Sequence, residues 1–277
     1  MKYYIIFLLL LLASCSKKPI YTSNPIEGPA VVDGVLKEWS VPMNYDKKSN
    51  MEYGIGNDEK YLYVNLKITD KVLTSKIFMT GLTLWIDTVG KNKKMYGIKY
   101  PIGQGRKIDN REMTRERIPG EIRRPVRPDL QRKPEVMEII GFTKKGAREL
   151  ADPEGTPGMH LSVSRDQLGA FYYEARILLD KIITDVGPYL TDTTRLLSIG
   201  FETGHIDMPN MAGRSPGMRS GGGGSRMPGG RTGGGGRTGG GSRPGGRTMD
   251  PSQRIDYMKA MSQSTKLRIP KVRLIGW

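Results

Sequence analysis

The chain has 277 residues, with 44 Lys and Arg against 28 Asp and Glu, a formal net charge of +16. A single cysteine excludes an intramolecular disulfide, and with only two histidines no Ser-His-Asp or Cys-His arrangement stands out. The length suits one large domain or two small ones. The charge is uneven, because seven Arg lie between Arg214 and Arg247 with no acid to offset them.

The chain opens "MKYYIIFLLLLLASCSKK". Its apolar run, Tyr3 to Leu12, falls short of the roughly 20 residues that a permanent bilayer span needs. A short basic start, a brief apolar run and small residues before a cut site are the pattern of a secretory signal, here residues 1–14. "LASC" resembles the lipobox of bacterial lipoproteins, in which the cysteine becomes the acylated first residue. That resemblance implies lipidation at Cys15, which fits a lone cysteine better than redox or metal chemistry does. "SKK" has no Asp directly after the cysteine and no acidic stretch. By resemblance to lipoprotein sorting rules, this implies the outer membrane, at its periplasmic face rather than the cell surface. Residues 15–29, polar and bearing Pro19, Pro25 and Pro29, read as a lipidated tether.

From residue 30 the texture is all-β. "KYLYVNLKITD" alternates, with Leu62, Val64, Leu66 and Ile68 on one face and Tyr61, Tyr63, Asn65 and Lys67 on the other. "GLTLWIDT" repeats the pattern and places Trp85 opposite Leu82 and Leu84. "MYGIKYPI" and "VMEIIGF" are shorter strand candidates. "MHLSVSRDQLGAFYYEARILLD" reads as two strands around a turn at 166–169, followed by "RLLSIGFETG" and a closing "TKLRIPKVRLIGW". "TKKGARELAD" reads as one short helical turn. "GIGNDEK" leads into a strand, so Gly54 and Gly56 belong to a hairpin loop and not to a phosphate cradle. Frequent turns between short strands predict an antiparallel β-sandwich formed by 30–205 plus 266–277.

Two segments interrupt that pattern. Residues 103–135 are charged and poor in large apolar residues, as expected of an exposed loop. Residues 206–265, rich in Gly, Arg, Met and Ser, offer too little apolar surface to offset ordering entropy and read as a flexible insertion before the last strand. From Arg226 to Arg247 each Arg is followed by Thr, Pro or Met, and no aromatic residue occurs from 202 to 256. Single-strand nucleic-acid binders pair charge with stacking platforms, so nucleic acid is not the expected partner. Anionic envelope polymers fit an exported cationic loop; a solvated spacer fits it equally well.

"VVDGVLKEWS" (31–40), "GNDEKYLYVNLKITD" (56–70), "GLTLWIDTVG" (81–90), "YYEARILLD" (172–180) and "LLSIGFETG" (196–204) occur in an order that resembles the family 9 carbohydrate-binding modules and their DOMON-like relatives. The resemblance implies a β-sandwich and a binding role, with carbohydrate or an envelope glycan as ligand; no motif nominates a catalytic carboxylate pair, so the expected role is non-catalytic, with a glycan-active enzyme as the remote alternative. Family 9 modules clamp a sugar between two Trp side chains. Here no second Trp pairs with Trp85 from sequence; Trp85 either lines a ligand face with Tyr61 and Tyr63 or packs under a neighbouring loop, and Trp39 covers the end of the core or joins that face. The resemblance also implies structural calcium at Asp33, Asp58 and Asp87, although Asp at strand ends equally serves as a turn residue. Haem binding of the DOMON type is a remote alternative. The competing reading is a structural or assembly lipoprotein that docks a partner protein or an anionic surface.

Overall fold

The computed structural model describes residues 19–28, 30–36, 42–103, 134–206 and 250–276. The signal and lipidation segment with Cys15, Trp39, most of the charged loop and the Arg/Gly-rich run lie outside the described residues. Thirteen strands form among those described: β1 (Tyr21–Thr22), β2 (Asn24–Pro25), β3 (Asn44–Asp46), β4 (Met51–Asn57), β5 (Tyr61–Ile68), β6 (Leu82–Asp87), β7 (Tyr96–Lys99), β8 (Met137–Ile140), β9 (Arg148–Ala151), β10 (Met159–Arg165), β11 (Phe171–Leu178), β12 (Leu197–Thr203) and β13 (Lys266–Arg273). Three helices accompany them: α1 (Lys71–Thr80), α2 (Gly187–Thr191) and α3 (Pro251–Ser262).

The strands make two packed sheets. One runs β1-β13-β12-β6-β7-β8-β9; the other runs β10-β11-β5-β4-β2, with β3 also pairing β4. The period-2 pattern read from the sequence sets the inner faces. Leu62, Val64, Leu66 and Ile68 of β5 are fully buried, as are Leu82, Leu84 and Ile86 of β6. Each contributes about 1.5–3 kcal/mol of apolar burial. Two edge-to-face ring pairs, Phe78 with Phe171 (5.6 Å) and Tyr173 with Phe201 (5.4 Å), lie in the same core.

The all-β sandwich is as expected, with several local corrections. The stretch assigned to the tether carries β1 and β2, which pair in parallel with β13 and β4. The sheets are therefore mixed and not purely antiparallel. "TKKGARELAD" contains β9 and no helix, since Arg148–Ala151 finds a partner in β8. Gly54 and Gly56 lie within β4 and not in a loop. A Cβ at 54 would strike the Asn65 side chain, and one at 56 would meet Ile26, so these glycines admit close neighbours.

Helix α1 carries a weak apolar pattern in "KVLTSKIFMT", because its buried side is shared between Leu73, Ile77 and Phe78 and the polar Thr74 and Lys76. Its start is set by Asp70, whose carboxylate accepts from the Val72 and Leu73 amides at 2.8 and 2.9 Å. Helix α3 lies within the 206–265 insertion, so the last part of that segment is ordered. Asp250 caps its start by accepting from the Ser252 amide. Its end is held by Lys76, a buried ammonium that donates to the carbonyls of Ala260 (2.9 Å) and Gln263 and to the Thr265 hydroxyl (3.2 Å). A cation on last-turn carbonyls satisfies acceptors that have no intrahelical partner.

The outer faces of the two sheets differ. On the six-stranded sheet, residues 26–28 and 30–36 lie over the strands: Ile26 packs on Tyr63, and the Gly34 amide donates to Glu174 Oε2 at 2.7 Å. Ser164 Oγ in turn donates to the Gly34 carbonyl. Tyr63, Asn65, Ser162 and Glu174 are consequently buried although they point away from the core. The face of the seven-stranded sheet around β6 carries no such cover among the described residues.

Candidate functional site

Trp85 stands at the centre of that uncovered face. It pairs across the sheet with Gly97 of β7 and Gly200 of β12, so no side chain stands beside it on either neighbouring strand. The indole leans over Gly97, where an added Cβ would come within 2.6 Å of Cζ3. Trp85 Nε1–H donates to Glu202 Oε2 at 3.1 Å, which fixes the ring's rotation. Glu202 also pairs with Lys94 and, at 3.1 Å, with Lys266. Burial alone would raise the Glu202 carboxyl; the two ammonium groups outweigh it and hold it below the usual carboxylate range. Lys94, half-exposed, also lies over the indole, 5.1 Å from its centroid.

Two depressions meet at Trp85 and Glu202. The smaller, about 50 Å³, opens toward β12 and β13 over Ser198, Gly200 and Arg268. The larger, about 380 Å³, is floored by Thr83 and Trp85 and bounded by Lys99, Arg148, Lys266 and Ser264. Only the second reaches the size of a small-molecule site. A still larger cleft of about 550 Å³ separates α1 from α3, with Asp70 and Lys76 in its wall. Asp70 caps α1 and Lys76 caps α3.

The expected aromatic surface is divided. Tyr61 and Tyr63 sit on β5 of the six-stranded sheet, with rings 6.2 Å apart, while Trp85 sits on the other sheet. Tyr63 is buried beneath residues 26–28 and 30–36 and donates to Asp58 Oδ2 at 2.7 Å. Tyr61 is half-buried, with the Arg176 guanidinium 5.2 Å above its ring. The tyrosines therefore do not share a surface with Trp85, because alternation sorts side chains within a strand but not among sheets. Trp39 lies outside the described residues.

The three aspartates are turn residues in this fold. Asp33 Oδ1 accepts from the Val35 amide at 2.7 Å. Asp58 Oδ1 accepts from the amides of Lys60 and Tyr61. Asp87 accepts from Val89, Lys91 and Lys93 amides at 2.7–2.9 Å. With their oxygens directed at backbone donors on separate loops, they do not fit a shared calcium site. Among the described residues no group of three or more His, Cys, Asp or Glu is placed to hold a metal ion. His160 on β10 and His205 after β12 lie on different sheets and form no axial pair.

Sequence reading did not reach Glu202, Lys94, Lys99, Arg148 or Lys266. The signal was in the glycines: "MYGIKYPI" and "SIGFETG" each interrupt a strand pattern with one Gly, the mark of a close approach from a neighbour. No helix among the described residues is long and apolar enough to cross a membrane.

No protein-family model matches the chain, and no curated protein matches it. Among solved structures it is similar to a family 9 carbohydrate-binding module from Caldicellulosiruptor kristjanssonii in complex with glucose. The identity is 12%, the TM-score 0.38, and the match covers 94% of this chain and 97% of that one.

Proposed function

We propose that this chain is an exported, lipid-anchored binding protein, non-catalytic, whose sandwich takes a carbohydrate on the outer face of the seven-stranded sheet. One observation carries the reading. Trp85 is seated between two strand glycines, its rotation fixed by Glu202, beside a depression lined with hydroxyl and charged side chains. Indole supplies a rigid apolar surface for sugar C–H groups, while Thr83, Ser264 and Lys99 supply hydrogen-bond partners at its edge. Titration with a glycan panel tests it. Ligand-dependent quenching of tryptophan emission in the wild type, lost in Trp85→Ala, is the expected result; a panel with no response refutes the platform.

Anchoring rests on the sequence alone: a signal, a lipobox-like "LASC" and a single cysteine. Two or three acyl chains at Cys15 would hold the domain at the outer membrane's periplasmic face. Radiolabelled palmitate incorporation and membrane fractionation check this, and Cys15→Ser is expected to release the protein to the soluble fraction.

A second reading, docking of a partner protein, is favoured by β9. It is an edge strand of the seven-stranded sheet with Leu150 73% exposed. Pull-down from envelope extract with Leu150→Asp separates the two readings, since a docking edge loses its partner while glycan titration is unchanged.

A further inference from the structure

The charge around Trp85 identifies the ligand class more narrowly than carbohydrate. The larger depression is bounded by Lys99, Arg148 and Lys266, with Lys94 over the indole, and Glu202 is the only acid among the described residues that line it. Glu202 is already committed to two ammonium groups and the indole N–H. Among the described residues Arg148 pairs with Glu138 at 3.2 Å, and its side chain remains 62% exposed. Lys99 makes no ion pair among the described residues, and neither does Arg268 beside the smaller depression.

The positive charge thus exceeds what the described residues neutralise, and the excess faces the same space as the indole edge. A neutral sugar can accept hydrogen bonds from these groups but leaves their surplus charge uncompensated. A carboxylate or sulfate on the sugar would meet Lys99 on one side and the Arg148 fork on the other. The Arg fork also favours planar, bidentate anion recognition over simple charge attraction.

We infer that the Trp85 face binds an acidic glycan, a polymer whose sugars carry carboxylate or sulfate, with Trp85 stacking on the ring and Lys99, Arg148 and Lys266 receiving the anionic group. This rests on the platform reading above and narrows it. Glu202 acts as the internal counter-ion that keeps Lys94 and Lys266 gathered over the site before ligand arrives.

The test titrates the full chain at 0.15 M salt with three oligomers of equal length: oligogalacturonate, a neutral cello-oligosaccharide and its sulfated form. The acidic oligomers are expected to bind at least about tenfold tighter than the neutral one. Lys99→Gln and Arg148→Gln should each weaken them about tenfold, equivalent to about 1.4 kcal/mol, with a clearly smaller loss for the neutral oligomer. Trp85→Ala should abolish all three. A stronger effect with galacturonate than with the sulfated form assigns the anion as carboxylate, and the reverse as sulfate; either supports the inference.

Neutral binding that depends on Trp85 with no preference for acidic oligomers overturns the inference and leaves the platform standing. If none of the three binds, both fall. Acidic binding that survives Lys99→Gln and Arg148→Gln, and vanishes when the seven Arg from 214 to 247 are replaced by Ser, also overturns it. So does equal binding of duplex DNA, unaffected by Trp85→Ala, because that outcome reports charge without sugar stacking.

Discussion

Gly97→Ala is the sharpest probe of how Trp85 is held. An ideal Cβ at 97 would lie 2.6 Å from Trp85 Cζ3 and 3.0 Å from Cε3 and Cη2. Ordinary carbon contact begins near 3.5 Å, so the indole must move by roughly 1 Å. That shift strains or breaks the 3.1 Å bond from Nε1 to Glu202. Hydrogen bonds to charged groups are worth about 1.5–3 kcal/mol, less where water can replace the partner, as it can at this partly open face. Removing a strand glycine returns about 0.5–1 kcal/mol. The balance predicts a loss of about 1–2 kcal/mol, or a fall in Tm of roughly 2–8 °C for a domain of this size. Urea unfolding measures the loss, and a red shift of tryptophan emission reports the displaced ring. Gly200→Ala is the control, since its Cβ would meet the Leu267 carbonyl at 2.9 Å but no Trp85 atom within 4 Å. It should leave the emission maximum in place. If Gly97→Ala keeps wild-type emission and stability within about 0.5 kcal/mol, the indole is not seated on Gly97 and the platform loses its foundation.

Three further outcomes follow from named contacts. Lys76→Met removes the donor to Ala260, Gln263 and Thr265 and should cost about 1–3 kcal/mol, with α3 becoming the first segment cut in limited proteolysis. Glu202 has a folded-state pKa below its ordinary 4.5, so its stabilising contribution is present above that pH and disappears as pH falls through the depressed value. Glu202→Gln should accordingly flatten the loss of stability below about pH 4.5 in acid unfolding monitored by circular dichroism. Tyr63→Phe deletes the bond to Asp58 and should destabilise by about 1–2 kcal/mol in urea, yet leave glycan titration unchanged. A loss of glycan affinity there would return the tyrosines to the binding surface.

What the sequence determined by itself was the local alternation. A residue's side of its own strand depends on the two-residue pleat, so the inward positions of β5 and β6 and the outward position of Trp85 were legible without coordinates. The hairpin from β10 to β11 was legible for the same reason, its turn closed by Asp166 accepting from the Ala170 amide. Glycines misled where they read as loop, because a strand glycine at 54 or 56 answers to a neighbour far along the chain.

Only the tertiary structure decided which outward faces are open and which residues meet there. Tyr63 and Trp85 both point away from the core. One is covered because residues 26–28 and 30–36 lie across its sheet, and the other stays open because no described segment crosses it. Glu202 reaches Trp85 because β12 pairs with β6 across more than a hundred residues of chain. Strand order of that kind is set by which buried faces pack together, a long-range balance that alternation within any one strand does not encode.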